Sequence, residues 1–93
     1  MKKLQSTIIN ANLIKLVNEK TGEVSDMTKI IYTVSRENTD NFVGPAMLEC
    51  YRVGNYIEKI KPYVMKPVEL ELDEKPLKNG VKYVISKINN TVL

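Results

Sequence analysis

The chain has no histidine, no tryptophan and a single cysteine, Cys50. Without histidine there is no imidazole to act as a general base near neutral pH and none to bind a metal. One thiol forms no internal disulfide and builds no thiolate metal site, which makes a cytoplasmic address the expectation. The four glycines stand apart at Gly22, Gly44, Gly54 and Gly80, so no glycine-rich loop is present to cradle phosphate. No apolar run reaches the length of a membrane span, and none of signal-peptide length follows Met1-Lys2-Lys3. These absences argue against an enzyme and leave no catalytic residue, metal or cofactor to name.

What is present fits one globular domain over residues 1–93, with 43% apolar residues and five tyrosines. A chain of this length buries a real but small core, so contacts with partners count. The net charge of +3 is unevenly spread. Residues 1–36 carry six basic side chains (Lys2, Lys3, Lys15, Lys20, Lys29, Arg36) against Glu19, Glu23 and Asp26, which accounts for the whole excess. Any surface for a polyanion is therefore expected in the first third.

Val53 to Leu72 is the stretch that sets the order of elements. Asn55-Tyr56-Ile57-Glu58 has capping-box spacing, and Tyr56, Ile57 and Ile60 form an apolar stripe opposite Glu58, Lys59 and Lys61. This predicts a helix over Asn55–Lys61, ended by Pro62. After Pro67 the period becomes two: Val68, Leu70 and Leu72 face one way, Glu69, Glu71 and Asp73 the other. The three carboxylates share a face where a divalent cation could sit, but a charged outer face that discourages edge-to-edge pairing is the favoured reading.

Strands are expected on both sides of that helix. Residues 4–17 are rich in Ile, Leu and Thr, with Ile9, Ala11 and Leu13 on one face and a slip of phase, read as a bulge, at Leu13-Ile14. Asn18–Gly22 is a turn. Glu23–Arg36 is a long strand with Ile30, Tyr32 and Val34 inward. Glu37–Gly44 is a polar loop holding Phe42. Ala46–Val53 is a third strand, with Ala46, Leu48 and Cys50 on one face and Met47, Glu49 and Tyr51 on the other. Asp73–Gly80 reads as a loop, Val81–Ile88 as a fifth strand, and residues 89–93 as a fraying tail.

Five strands with one short helix between the third and fourth match the all-β Greek-key barrel called the OB-fold. The run from Glu49-Cys50-Tyr51-Arg52-Val53 through Tyr56–Val64 to Lys66-Pro67-Val68 resembles the third strand, helix and fourth strand of the small OB-fold single-stranded DNA-binding proteins of phages, plasmids and conjugative elements. In size and simplicity the chain is similar to the filamentous-phage helix-destabilising type. The chain ends Asn89-Asn90-Thr91-Val92-Leu93 rather than in the acidic recruiting tail of cellular relatives, which points to a mobile element.

The resemblance implies a non-catalytic protein that coats single-stranded DNA during replication or transfer, with RNA left open. Single strands are held by basic grooves and aromatic platforms. Mapped onto this chain, the expected contacts are Lys20, Lys29, Arg36, Phe42, Tyr51, Arg52, Lys75 and Lys78. Tyr51 competes with a core role, and Tyr32 and Tyr56 are expected in the core. Lys82 and Tyr83 fall on opposite faces of the fifth strand, so only one is expected to line a groove. Apolar Ile31 and Met47 on the outer face suggest a homodimer. The alternative reading is a small β-barrel protein-interaction module of a phage or conjugation assembly that binds no nucleic acid.

Overall fold

A computed structural model describes residues 2–93; Met1 lies outside the described residues. One strand belongs to both halves of the molecule. β1 (Lys2–Val17) pairs through Lys2–Thr7 with β4 (Pro67–Leu77), and from Ile8 onward with β2 (Val24–Val34). The pairing jumps between Ile8 and Asn10, so Ile9 is an extra residue at the crossing point. A bulge of this kind bends the strand and raises its twist, which lets one strand serve two partners. The bend therefore lies at Ile9, not at the expected Leu13-Ile14. Beyond it, Ala11 and Leu13 lie opposite the buried Ile30 and Thr28, as period two requires.

The remaining elements are β3 (Ala46–Val53), α1 (Ile57–Ile60), a 3-10 turn (Lys61–Tyr63), β5 (Gly80–Ile88) and β6 (Thr91–Val92). The fold is all-β apart from these helical turns. A single antiparallel sheet has the strand order β3-β2-β1-β4-β5-β6. Inward residues from both halves form the core: Ile8, Ile30, Tyr32, Leu70, Leu72, Ile85 and Ile88, capped by Ile60 of α1.

Several expectations need correction. Among the described residues the sheet has six strands, not five. The supposed fraying tail turns back at Asn89-Asn90, and both residues take positive φ (50° and 66°). Asparagine tolerates that region better than other non-glycine residues, and two such positions in a row are what a two-residue hairpin turn demands. Asn89 also exchanges hydrogen bonds with Glu69, its N–H reaching the Glu69 carbonyl at 2.8 Å and its Oδ1 accepting from the Glu69 N–H at 2.9 Å. Leu93 ends buried, its N–H on the Ser86 carbonyl.

The loop expected at Asp73–Gly80 is mostly strand. β4 continues to Leu77, and only Lys78-Asn79 turn the corner. Pro76 is tolerated there because it sits opposite Val81 at a position where its missing N–H is not needed by the neighbouring strand.

The helix is shorter than expected, and Pro62 continues it as a 3-10 turn instead of ending it. Pro62 occupies the first turn, where no intrahelical N–H is required. The expected capping box does not form: the helix N-cap is Tyr56, without a side-chain cap bond, and Asn55 Oδ1 accepts from the Ile57 N–H at 3.2 Å in an Asx turn that leads into the helix. The other anchor is Thr28, fully buried, whose Oγ1 donates to the Gly54 carbonyl at 2.8 Å and accepts from the Tyr56 N–H at 3.0 Å. One side chain of β2 thus fixes the chain's exit from β3 into α1.

Candidate functional site

The outer face of β2 and β3 carries the first group of candidate residues. The register places Lys29 opposite Tyr51, Ile31 opposite Glu49 and Thr33 opposite Met47. Their neighbours in sequence, Ile30, Tyr32 and Cys50, point into the core, so strict alternation turns this set outward. Tyr51 is half-buried on that outer face, not part of the core. Glu49 occupies the centre: it accepts a hydrogen bond from the Tyr51 hydroxyl at 3.2 Å and lies 3.3 Å from Lys29 Nζ. Met47 and Val53 are exposed beside it.

Arg36 and Phe42 come together in the loop between β2 and β3. The guanidinium lies 3.8 Å from the ring centroid. A small antiparallel bridge, Thr39 with Phe42, and a bond from the Gly44 N–H to Asn38 Oδ1 shape this loop. Lys20 lies in the tip between β1 and β2, at the far end of β2 from Arg36. Eleven residues of extended strand separate the two ends, roughly 35 Å. Lys75 belongs to β4 and faces Lys82 across the hairpin, with Lys78 in its turn.

Arg52 does not join the outer face. It shares the inward phase of Cys50, and its Nη1 donates to the Ile85 carbonyl of β5 at 3.0 Å. Its guanidinium lies 4.7 Å from the Tyr56 ring centroid, and its Nε is buried without a partner. Arg52 therefore does not share the outward face of Lys29 and Tyr51, where the sequence reading places it. Arg52 instead bridges β3, one end of the sheet, to β5, the strand next to β6 at the other end.

Those two strands define a second feature. β3 and β5 run side by side, but no strand ladder joins them among the described residues. A cleft of about 390 Å³ opens between them, lined among others by Tyr32, Leu48, Leu77, Val81 and Tyr83. Lys82 and Tyr83 both line it, contrary to the expectation that only one would, because the cleft is approached from the strand edge and not from a face. Cys50 lies at its floor. Burial pushes the Cys50 thiol above its usual pKa, opposed by the Ile85 backbone amide and by the charges of Arg52 and Lys82. Burial likewise raises Tyr32, with the neighbouring Cys50 and Tyr83 adding to the rise.

Two of the three carboxylates in the β4 row are met by lysines, and Glu71 is buried and not on the exposed charged face expected for it. Glu71 lies 3.6 Å from Lys87, and Glu69 lies 3.9 Å from Lys3. Among the described residues no group of three or more His, Cys, Asp or Glu gathers as a metal site, and no helix is long and apolar enough to cross a membrane. Comparison with known proteins finds no matching family model, no matching curated protein and no matching solved structure.

Proposed function

We propose that the chain is an OB-fold module that binds single-stranded DNA, without sequence-specific readout, on the outer face of β2 and β3. The observation that carries this reading is the side-by-side placement of Lys29 and Tyr51, a cation and a ring, on an outward sheet face. That pairing suits a phosphate and a stacked base. The strand order supports the OB reading: β3-β2-β1-β4-β5, with a bent first strand shared by both halves, is the order of the partly open five-stranded barrel, to which β6 is an addition. The Arg36–Phe42 pair extends the surface along the β2–β3 loop.

Glu49 gives the mechanism. In the free protein it holds both Lys29 and the Tyr51 hydroxyl, in the place where a phosphate would bind. An exposed pair of this kind contributes at most about 1 kcal/mol, so a phosphate displaces it readily. The biological setting, coating of a phage or mobile-element strand in the cytoplasm by a homodimer, rests on the resemblance and on the exposed Met47 and Val53.

The test is anisotropy of a fluorescent oligo-dT, with a duplex of equal length for comparison, at two salt concentrations. Lys29→Glu should weaken binding and lower the salt slope by about 0.7 for one lost phosphate contact. Glu49→Gln should do the reverse and tighten binding. Tyr51→Ala should cost roughly 1–3 kcal/mol with little change in slope. Lys59→Glu, on the far side of α1, is the control. Absence of oligo-dT binding at low salt would refute the reading and leave the protein-interaction alternative.

A further inference from the structure

The hydrogen-bonding phase of the two free strand edges follows from three contacts. Ile85 turns its carbonyl toward Arg52, away from β4. Antiparallel pairs alternate, so Tyr83 and Val81, two and four residues before it in an unbroken register, also turn N–H and C=O away from β4 and toward β3. The position of Pro76 opposite Val81 agrees with this phase. On β3, the Gly54 N–H reaches the Asp26 carbonyl of β2 at 2.8 Å, so alternation turns the main chain of Glu49 and Tyr51 toward the same gap. Two edges therefore face each other without a ladder, with the Arg52 side chain spanning them at one end.

We propose that this gap is a docking groove for an extended peptide with acidic ends and an apolar anchor, taken up by strand addition. Main-chain groups of the β5 edge at Val81 and Tyr83 supply the hydrogen bonds, and the cleft floor takes the anchor side chain. Leu48 and Val81 are 45% and 51% exposed at these edges, and Leu77 at the end of β4 is 56% exposed and also lines the cleft. Free edges are normally guarded by charge, and an apolar pair of edges is a template for another strand. Charge selects the partner. Lys75 and Lys82 sit directly opposite each other with Lys78 at the tip, an arrangement that repels itself and is relieved by acidic groups. Glu74 is the carboxylate next to them in sequence, and Glu49 is already engaged by Lys29. A second copy of this chain would bring the same lysines to the groove and fits it less well. The groove shares Glu49 and Tyr51 with the outer face but uses neither Lys29 nor Phe42, so the Val81 and Tyr83 amides, which belong to the groove alone, report it separately from nucleic-acid binding.

The experiment uses full-length protein labelled with nitrogen-15 and a fluorescein-tagged peptide of alternating valine and threonine between aspartate ends. Saturable binding is expected, with shifts of the Val81 and Tyr83 amides. The same peptide with lysine ends should bind about tenfold more weakly. Methylating alternate peptide nitrogens should abolish binding, a result that needs no protein variant. Leu48→Asp and Lys82→Glu should each weaken binding about tenfold while the amide spectrum stays dispersed. Equal binding of acidic-ended and lysine-ended peptides would overturn the proposal. So would shifts confined to Lys29 and its outer-face neighbours, movement of the Val81 and Tyr83 amides by oligo-dT instead of peptide, or their movement with protein concentration alone, which would assign the edges to a second copy.

Discussion

Replacing Arg52 should cost stability and leave nucleic-acid binding nearly intact. Its guanidinium makes a charge-assisted bond to the Ile85 carbonyl and stacks on Tyr56. The bond contributes about 1.5–3 kcal/mol. The stack adds about 0.5–2 kcal/mol. Against these stands the unpartnered Nε, whose burial costs about 1 kcal/mol that any residue without that group recovers. The net loss for Arg52→Met, which keeps an apolar stem of similar reach, is then about 1–4 kcal/mol. A central value of about 2.5 kcal/mol corresponds to a fall in Tm of roughly 10–20 °C for a domain of this size. Arg52→Lys keeps the charge but loses the planar stack, and should fall between wild type and the Met variant. Thermal melts followed by circular dichroism give the stability, and oligo-dT titration well below the melt gives the affinity. A Met variant that melts within about 0.5 kcal/mol of wild type yet binds oligo-dT tenfold more weakly would refute this assignment and return Arg52 to the binding surface.

Thr28→Val keeps the side-chain shape but strips the donor from the Gly54 carbonyl and the acceptor from the Tyr56 N–H; urea unfolding should show a loss of about 2–4 kcal/mol, while Thr28→Ser retains most of the stability. Asn90→Ala should cost about 1 kcal/mol, because alanine lacks the short polar side chain that lets asparagine tolerate positive φ, and Asn90→Gly should be close to neutral in the same assay. Alkaline pH should destabilise the fold. The Cys50 and Tyr32 pKa values are raised in the folded state, so their contribution is fully present below the unfolded values and is lost as pH rises through the folded ones; urea midpoints should fall above about pH 9, and the fall should shrink in Cys50→Ala.

The strands that pack on both the core and a neighbour were legible because burial imposes period two on them. Ile30 and Tyr32, and Val68, Leu70 and Leu72, alternate without interruption and are buried as their spacing requires. The elements that were misread are the ones burial does not dictate. The second half of β4, Asp73–Leu77, runs out along a solvated hairpin, where acidic, basic and proline residues give no apolar period to detect. The turn at Asn89-Asn90 carries a readable signal, since paired asparagines between Ile88 and Thr91 favour left-handed backbone, but a segment this near the chain end also reads as a frayed tail. The bulge was foreseen in kind but displaced. Two apolar residues side by side occur at Ile8-Ile9 as well as at Leu13-Ile14, and only the change of pairing partner selects the first.

For the candidate site the lesson lies in β3. Ala46, Leu48 and Cys50 share one face of β3, so Arg52 belongs to the same face by simple continuation. Its charge argues for solvent, and a reading that puts charge before period sets it on the outer face with Tyr51. The structure reverses that order because an inward position at the end of an edge strand is not a dry one: the open side of the sheet offers the Ile85 carbonyl and the Tyr56 ring as partners. A guanidinium is well suited to that place, being planar enough to stack and rich enough in donors to hold a carbonyl across the gap. Lys29 and Tyr51 met the opposite condition. Each sits one residue from a buried neighbour in the middle of a paired strand, so period alone turns both outward, and antiparallel register then brings them opposite each other. Sequence supplied the direction of each side chain; the partner on the adjacent strand depended on a register that no local pattern encodes.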